Sequence, residues 1–277
     1  MKINLQSKLQ EYLPSLFQLI EGDIRWVSLN NIFNEKFNAL NEKYKRDEKF
    51  PLIRLTLYSI IIGALKGDKN CKWFHRYIDN LFKDINHSLG TEEKLLIKQN
   101  ISNLLEFGNG FLNYLGELSV LNYYLKTGIY KLIDTEVRKN NITKGNKKGK
   151  GIDFKFYDKK INKDILIEVV NIELNDDKML NYQTIYKFLS CKLKDKLADT
   201  DKSGILDYVL IPVIWGSRTG SLNNILKVKE FYEVTNFKIE RVKSPMTYIP
   251  FIVNGNDNDV KNKFESINTI FNDTSVK

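Results

Sequence analysis

The sequence predicts an α/β or α+β protein, a mixed sheet flanked by helices with a helical region before it. Three observations carry that expectation. Up to about Gly108 apolar residues recur at three- and four-residue spacing. From Asn109 onward, segments of helical period alternate with short runs rich in β-branched and aromatic residues. In the middle of that second part stand two strand-like runs, "IDFKFY" and "DILIEVVNI", joined by the polar "DKKINK". The expected division is a helical region over 1–108 and an α/β core with a C-terminal extension over 109–277.

The helices expected in the first part are "INLQSKLQEYLPSLFQLI", "VSLNNIFNEKFNALNEKY", "PLIRLTLYSIIIGALKG", "CKWFHRYIDNLFKDINHSL" and "TEEKLLIKQNISNLLEF". Pro51 suits a first-turn position, and Thr91 followed by Glu93 and Lys94 reads as a helix start. In the second part, "GFLNYLGELSVLNYYLKTG" is an amphipathic helix closed by Gly128, and "IYKLIDTEVR" is a strand. "KNNITKGNKKGKG" has loop composition. After the hairpin come a long helix, "DKMLNYQTIYKFLSCKLKDKLADT", and an apolar strand, "ILDYVLIPVIWG". A helix near "NNILKVKEFYEV", a strand "YIPFIVNG" and a last helix "DVKNKFESINTIF" complete the expectation.

Composition narrows the classes of function. Lys and Arg outnumber Asp and Glu by 43 to 34, a formal charge of +9 that favours polyanionic partners. Only two cysteines, Cys71 and Cys191, are present, with no zinc or disulfide spacing, as expected of a reduced cytoplasmic chain. The longest apolar run, "LTLYSIIIGAL", falls far short of the ~20 residues that span a bilayer, so no membrane segment is expected. His75 and His87 are the only histidines, which argues against Ser-His or Cys-His nucleophilic chemistry. The "GNKKGKG" run is not a phosphate loop: its spacing is one residue short, and Gly151 replaces the hydroxyl that would hold Mg²⁺.

The candidate chemistry lies in the acids. Glu117 stands mid-helix in "YLGELSVL", Asp153 opens the first hairpin strand, and Glu168 sits inside the second. Strand alternation puts Glu168 with Leu166 and Val170 on one face, while Ile165, Ile167 and Val169 fill the other. A strand apolar on both faces belongs in a sheet interior, where a carboxylate needs a cation beside it. Two readings of Glu168 stand open: a ligand of a hard divalent ion, or an internal ion pair with a lysine, Lys155 included.

The order helix-Glu117, strand, Asp153 and Glu168 on a hairpin, helix and apolar strand resembles the PD-(D/E)xK phosphodiesterase superfamily, over roughly residues 109–215. That resemblance implies a restriction-endonuclease-like core and a metal-dependent endonuclease acting on DNA, with RNA left open and a restriction or anti-phage role. Glu117, Asp153 and Glu168 would bind Mg²⁺ or Mn²⁺, and a homodimer is a candidate assembly for double-strand cutting. The superfamily's lysine two residues after the second acid is Val170 here. Lys155, two residues from Asp153 on its face, is the first replacement considered, then Lys187 and Lys192, then Asn171. Two alternatives stand beside it: a nuclease-fold chain without activity, acting as a nucleic-acid-binding or assembly module, and an unrelated α/β interaction protein in which Asp153 and Glu168 pair with lysines and bind no Mg²⁺ or Mn²⁺. A basic stretch adds Lys144, Lys147, Lys148 and Lys150 to Lys187, Lys192, Lys194 and Lys196 of the following helix as candidate phosphate-backbone contacts.

Overall fold

A computed structural model describes residues 4–20, 25–46, 56–65, 67–105, 110–138, 151–174, 176–215, 221–252 and 260–269. The chain forms two compact units, Met1–Leu115 and Gly116–Lys277. The first unit is helical among its described residues. Its helices are α1 (Leu5–Tyr12), α2 (Pro14–Ile20), α3 (Trp26–Arg46), α4 (Leu57–Leu65), α5 (Lys69–Ser88), α6 (Thr91–Leu96) and α7 (Lys98–Leu105). Two segments expected as single helices are split. Pro14 opens α2 because it lacks an N–H to continue α1, and Ile97 interrupts α6 and α7. Asp68 accepts the Cys71 N–H at 2.7 Å and so caps α5. Leu9, Leu16, Phe33, Ile60 and Phe82 are buried in this unit. Pro51 lies outside the described residues.

The second unit is built on a six-stranded mixed sheet in the order β1 (Tyr130–Val137), β2 (Ile152–Asp158), β3 (Lys163–Glu173), β4 (Val209–Trp215), β5 (Met246–Ile252) and β6 (Val260–Ser266). The β1–β2, β2–β3 and β5–β6 pairs are antiparallel, and β3–β4 and β4–β5 are parallel. Parallel neighbours need crossovers. These are α9 (Tyr182–Asp201), capped by Asn181, and α10 (Ser221–Thr235). Both helices pack on the face of the sheet that carries Val170, Ile172, Leu210 and Ile214. Helix α8 (Phe111–Lys126) lies over the other face, where Tyr124 stacks on Phe156 with ring centroids 5.3 Å apart.

The last helix expected from sequence is instead β6. Val260, Phe264 and Ile267 recur at helical spacing, but the chain pairs antiparallel with β5, from Met246 opposite Ser266 to Ile252 opposite Val260. Phe264 approaches the Trp215 ring, and Lys263 and Glu265 lie 3.5 Å apart. Tertiary pairing outweighs a short helical pattern, and the lysines suit an edge strand.

Two glycines let the elements meet. A Cβ at Gly116 would lie 2.8 Å from the Asn171 Cγ, so a bare backbone brings α8 onto β3 one residue before Glu117. Asn171 is held there, since its Oδ1 accepts the Trp215 indole N–H at 2.9 Å. A Cβ at Gly151 would lie 2.6 Å from the Glu136 carbonyl carbon and oxygen, so the entry to β2 also needs glycine. Gly116→Ala should push α8 off the sheet and cost about 1–3 kcal/mol of stability, read as a lower urea midpoint with an unchanged slope.

Candidate functional site

The β2–β3 ladder ends with Phe154 opposite Ile167. The next residue of each strand is an acid. There the side chains take over the hydrogen bonding: the Asp153 N–H donates to Glu168 Oε2 at 3.1 Å, and the Val169 N–H donates to Asp153 Oδ2 at 2.7 Å. Strand β3 runs on beside β4 alone, from Glu168 opposite Leu210 to Glu173 opposite Trp215. The two strands therefore part at Asp153 and Glu168, each carboxylate capping a donor of the other strand.

Both acids are deeply buried, Glu168 at 0% and Asp153 at 3% exposure, so their charges need compensation from within the fold. Glu168 receives it from α9. The Lys196 ammonium forms an ion pair with Glu168 Oε1, and the Thr200 hydroxyl donates to the same oxygen at 3.5 Å. Lys196 and Thr200 are one helical turn apart and so reach the same point. The end of α9 is held in turn by the two-pronged bond of Arg241 to Asp201, 2.8 and 2.9 Å, and by the Tyr208 hydroxyl on Asp201 Oδ1 at 2.8 Å.

Asp153 has the more strained electrostatics. Burial, then the charges of Glu117 and Glu168, hold its carboxyl well above the ordinary carboxylate range, while Lys196 and the Val169 N–H act in the opposite direction. Glu117, half-buried on α8, thus lies within electrostatic reach of Asp153, although it approaches from the opposite face of the sheet to α9. Strands β2 and β3 and helix α9 bring Asp153, Glu168 and Lys196 together, and α8 carries Glu117 within electrostatic range.

The expected lysine is elsewhere. Lys155 pairs with Asp164 at 2.8 Å and is turned toward the hairpin, into a groove of about 610 Å³ shared with Tyr157, Asn162 and Lys163. Diagonal cross-strand pairing with Asp164 is closer to hand than the acids behind it. Lys187 and Lys192 are exposed on α9. Asn171 belongs to the α8 face and serves Trp215. Lys144, Lys147, Lys148 and Lys150 lie outside the described residues. The lysine that meets Glu168 is Lys196, expected from sequence only as a phosphate contact; the signal for its inward place is the stripe Ile185, Leu189, Leu193, Lys196, Thr200, which has helical spacing with one lysine in it.

The donor set is all oxygen and suits a hard divalent cation, which would relieve the like-charge repulsion at Asp153. As the side chains stand, however, Lys196 and the Asp153 N–H hold both oxygens of Glu168. Among the described residues, no group of three or more His, Cys, Asp or Glu side chains is arranged to hold a metal ion. Nor, among them, is any helix long and apolar enough to cross a membrane. No protein-family model, no curated protein and no solved structure matches the chain.

Proposed function

We propose that the second unit is a metal-dependent phosphodiesterase with a restriction-endonuclease-like core, acting on DNA and using Asp153, Glu168 and Glu117. One observation carries this reading: β2 and β3 separate at two buried acids, and the charge of a third, Glu117 on α8, is felt at Asp153. A structural ion pair alone needs one acid and one base. Here Asp153 faces two further acids, a clustering that functional sites favour.

Bound Mg²⁺ or Mn²⁺ would supply water activation and neutralise charge on the scissile phosphate. Asp153 and Glu168 would hold it, Glu117 would complete the oxygen set, and the Lys196 ammonium would stand by for phosphate or water. The exposed Lys187 and Lys192 would take backbone phosphates beyond the site.

A second reading has support of its own. Both Glu168 oxygens already have protein partners, as suits a nuclease-fold chain that binds nucleic acid without cutting it. The two readings separate on incubation with plasmid DNA, single-stranded DNA and RNA in Mg²⁺ or Mn²⁺. Metal-dependent cleavage that disappears in the D153A/E168A double variant supports the enzyme. Binding without cleavage in either metal supports the module, and equal digestion by the variant removes Asp153 and Glu168 from the chemistry.

A further inference from the structure

We infer that the groove at the hairpin end of the sheet, lined by Lys155, Tyr157, Lys163, Asp164 and Asp207, binds a nucleotide of an unpaired nucleic-acid strand. The base stacks on Tyr157, its amino group meets a carboxylate, and the phosphate meets Lys163. This site stands on residues outside the acid cluster and needs no metal ion, so it goes beyond the proposed cleavage.

The groove holds about 610 Å³, within the ~300–1,000 Å³ of sites that take small organic groups. Val137 and Leu166, half-buried against the core, give it an apolar floor. Tyr157 stands at its side, and Asn162 accepts the Tyr157 hydroxyl, which fixes the ring. Single-strand binding sites combine such a ring, on which a base stacks, with lysines that take the phosphates. Charge selects the unpaired form. Two lysines share the groove with two aspartates, so its walls would gain little from the continuous phosphates of a duplex. A nucleotide with an open base edge offers both signs: the amino group of cytosine or adenine donates to a carboxylate, while the phosphate needs a cation. Lys163 can supply that cation. Its pair with Asp207 is 3.8 Å long with side chains 66% and 97% exposed, a contact that parts at small cost. Lys155 and Asp164, 2.8 Å apart, stay paired, and the carboxylate keeps acceptor capacity for an amino group. The groove also lies where a strand approaching the acids would pass. Asp153, Lys155 and Tyr157 alternate onto one face of β2, with Leu166 and Asp164 of β3 beside the latter two. That spacing sets Tyr157 about 13 Å along the sheet from Asp153.

The test measures binding to the full chain in EDTA, where metal-dependent cleavage plays no part. Fluorescence anisotropy with short labelled oligomers should show dC and rC strands bound several times more tightly than dT, which lacks the amino group. Y157A should weaken single-strand binding about tenfold and leave duplex binding unchanged, while Y157F keeps the affinity. K163A should weaken all single strands alike and reduce the salt dependence by about one charge. Photo-crosslinking of a strand carrying iodocytosine, mapped by mass spectrometry on the natural protein, should mark Tyr157 and covers the case in which Y157A does not fold. Equal single-strand affinity in folded Y157A, or crosslinks confined to other residues, overturns the groove as the site. Either result leaves the proposed cleavage standing, because plasmid cutting that D153A/E168A abolishes is read separately.

Discussion

Replacing Asp153 by asparagine should cost metal-dependent cleavage roughly 10²–10³-fold and, in the same protein, raise the melting temperature in EDTA at neutral pH. The two effects share one cause. The Asp153 carboxyl is held well above its ordinary range by burial and by Glu117 and Glu168. Asparagine keeps an oxygen for the Val169 N–H but carries no charge to bury. The sign of the pH dependence follows. Between the ordinary carboxylate value and the raised one, the folded state holds a proton that the unfolded chain has released. Stability attributable to Asp153 is therefore present in acid and declines as pH rises through that window. Melting curves from pH 4 to 8 in EDTA should show the natural protein losing ground to D153N as pH increases. Parallel curves would mean that Asp153 is not strained in the folded chain.

Such a gain in stability on loss of activity is expected where a fold keeps like charges together for function. It also shows why the site was partly legible in sequence. An acid between Ile167 and Val169, on a strand apolar on both faces, is improbable without a partner, and Asp153 on the adjoining strand repeats the signal. Periodicity and turn residues likewise reveal most strands, because the β2–β3 turn and the apolar β4 obey local rules. What local rules do not contain is which cation meets the acid. Lys155 is nearest to Asp153 in sequence, but Asp164 across the hairpin holds it. Lys196 lies on α9, 28 residues beyond Glu168, and meets it only because the crossover folds α9 back over β3. The last strand was obscured for the same reason. Val260, Phe264 and Ile267 have helical spacing in isolation, and only the edge of β5 makes that segment a strand.

The largest effect on stability is expected from removing Lys196 alone. K196M leaves Glu168 wholly buried with its main counter-ion gone, which should lower unfolding free energy in EDTA by about 3–5 kcal/mol. E168Q removes the other charge and strands the ammonium; because the Lys196 side chain is less fully buried than Glu168, its cost should be smaller, about 1–3 kcal/mol. The double variant E168Q/K196M has neither charge. Its loss should therefore fall well short of the sum, with a coupling energy of about 2 kcal/mol or more. Urea unfolding of the four proteins closes the cycle. Additive losses would mean that the pair contributes nothing as a pair, and that Glu168 is neutralised by another group. A strong coupling fixes Lys196, rather than Lys155, as the partner through which the buried acid is tolerated and on which the stability of the cluster depends.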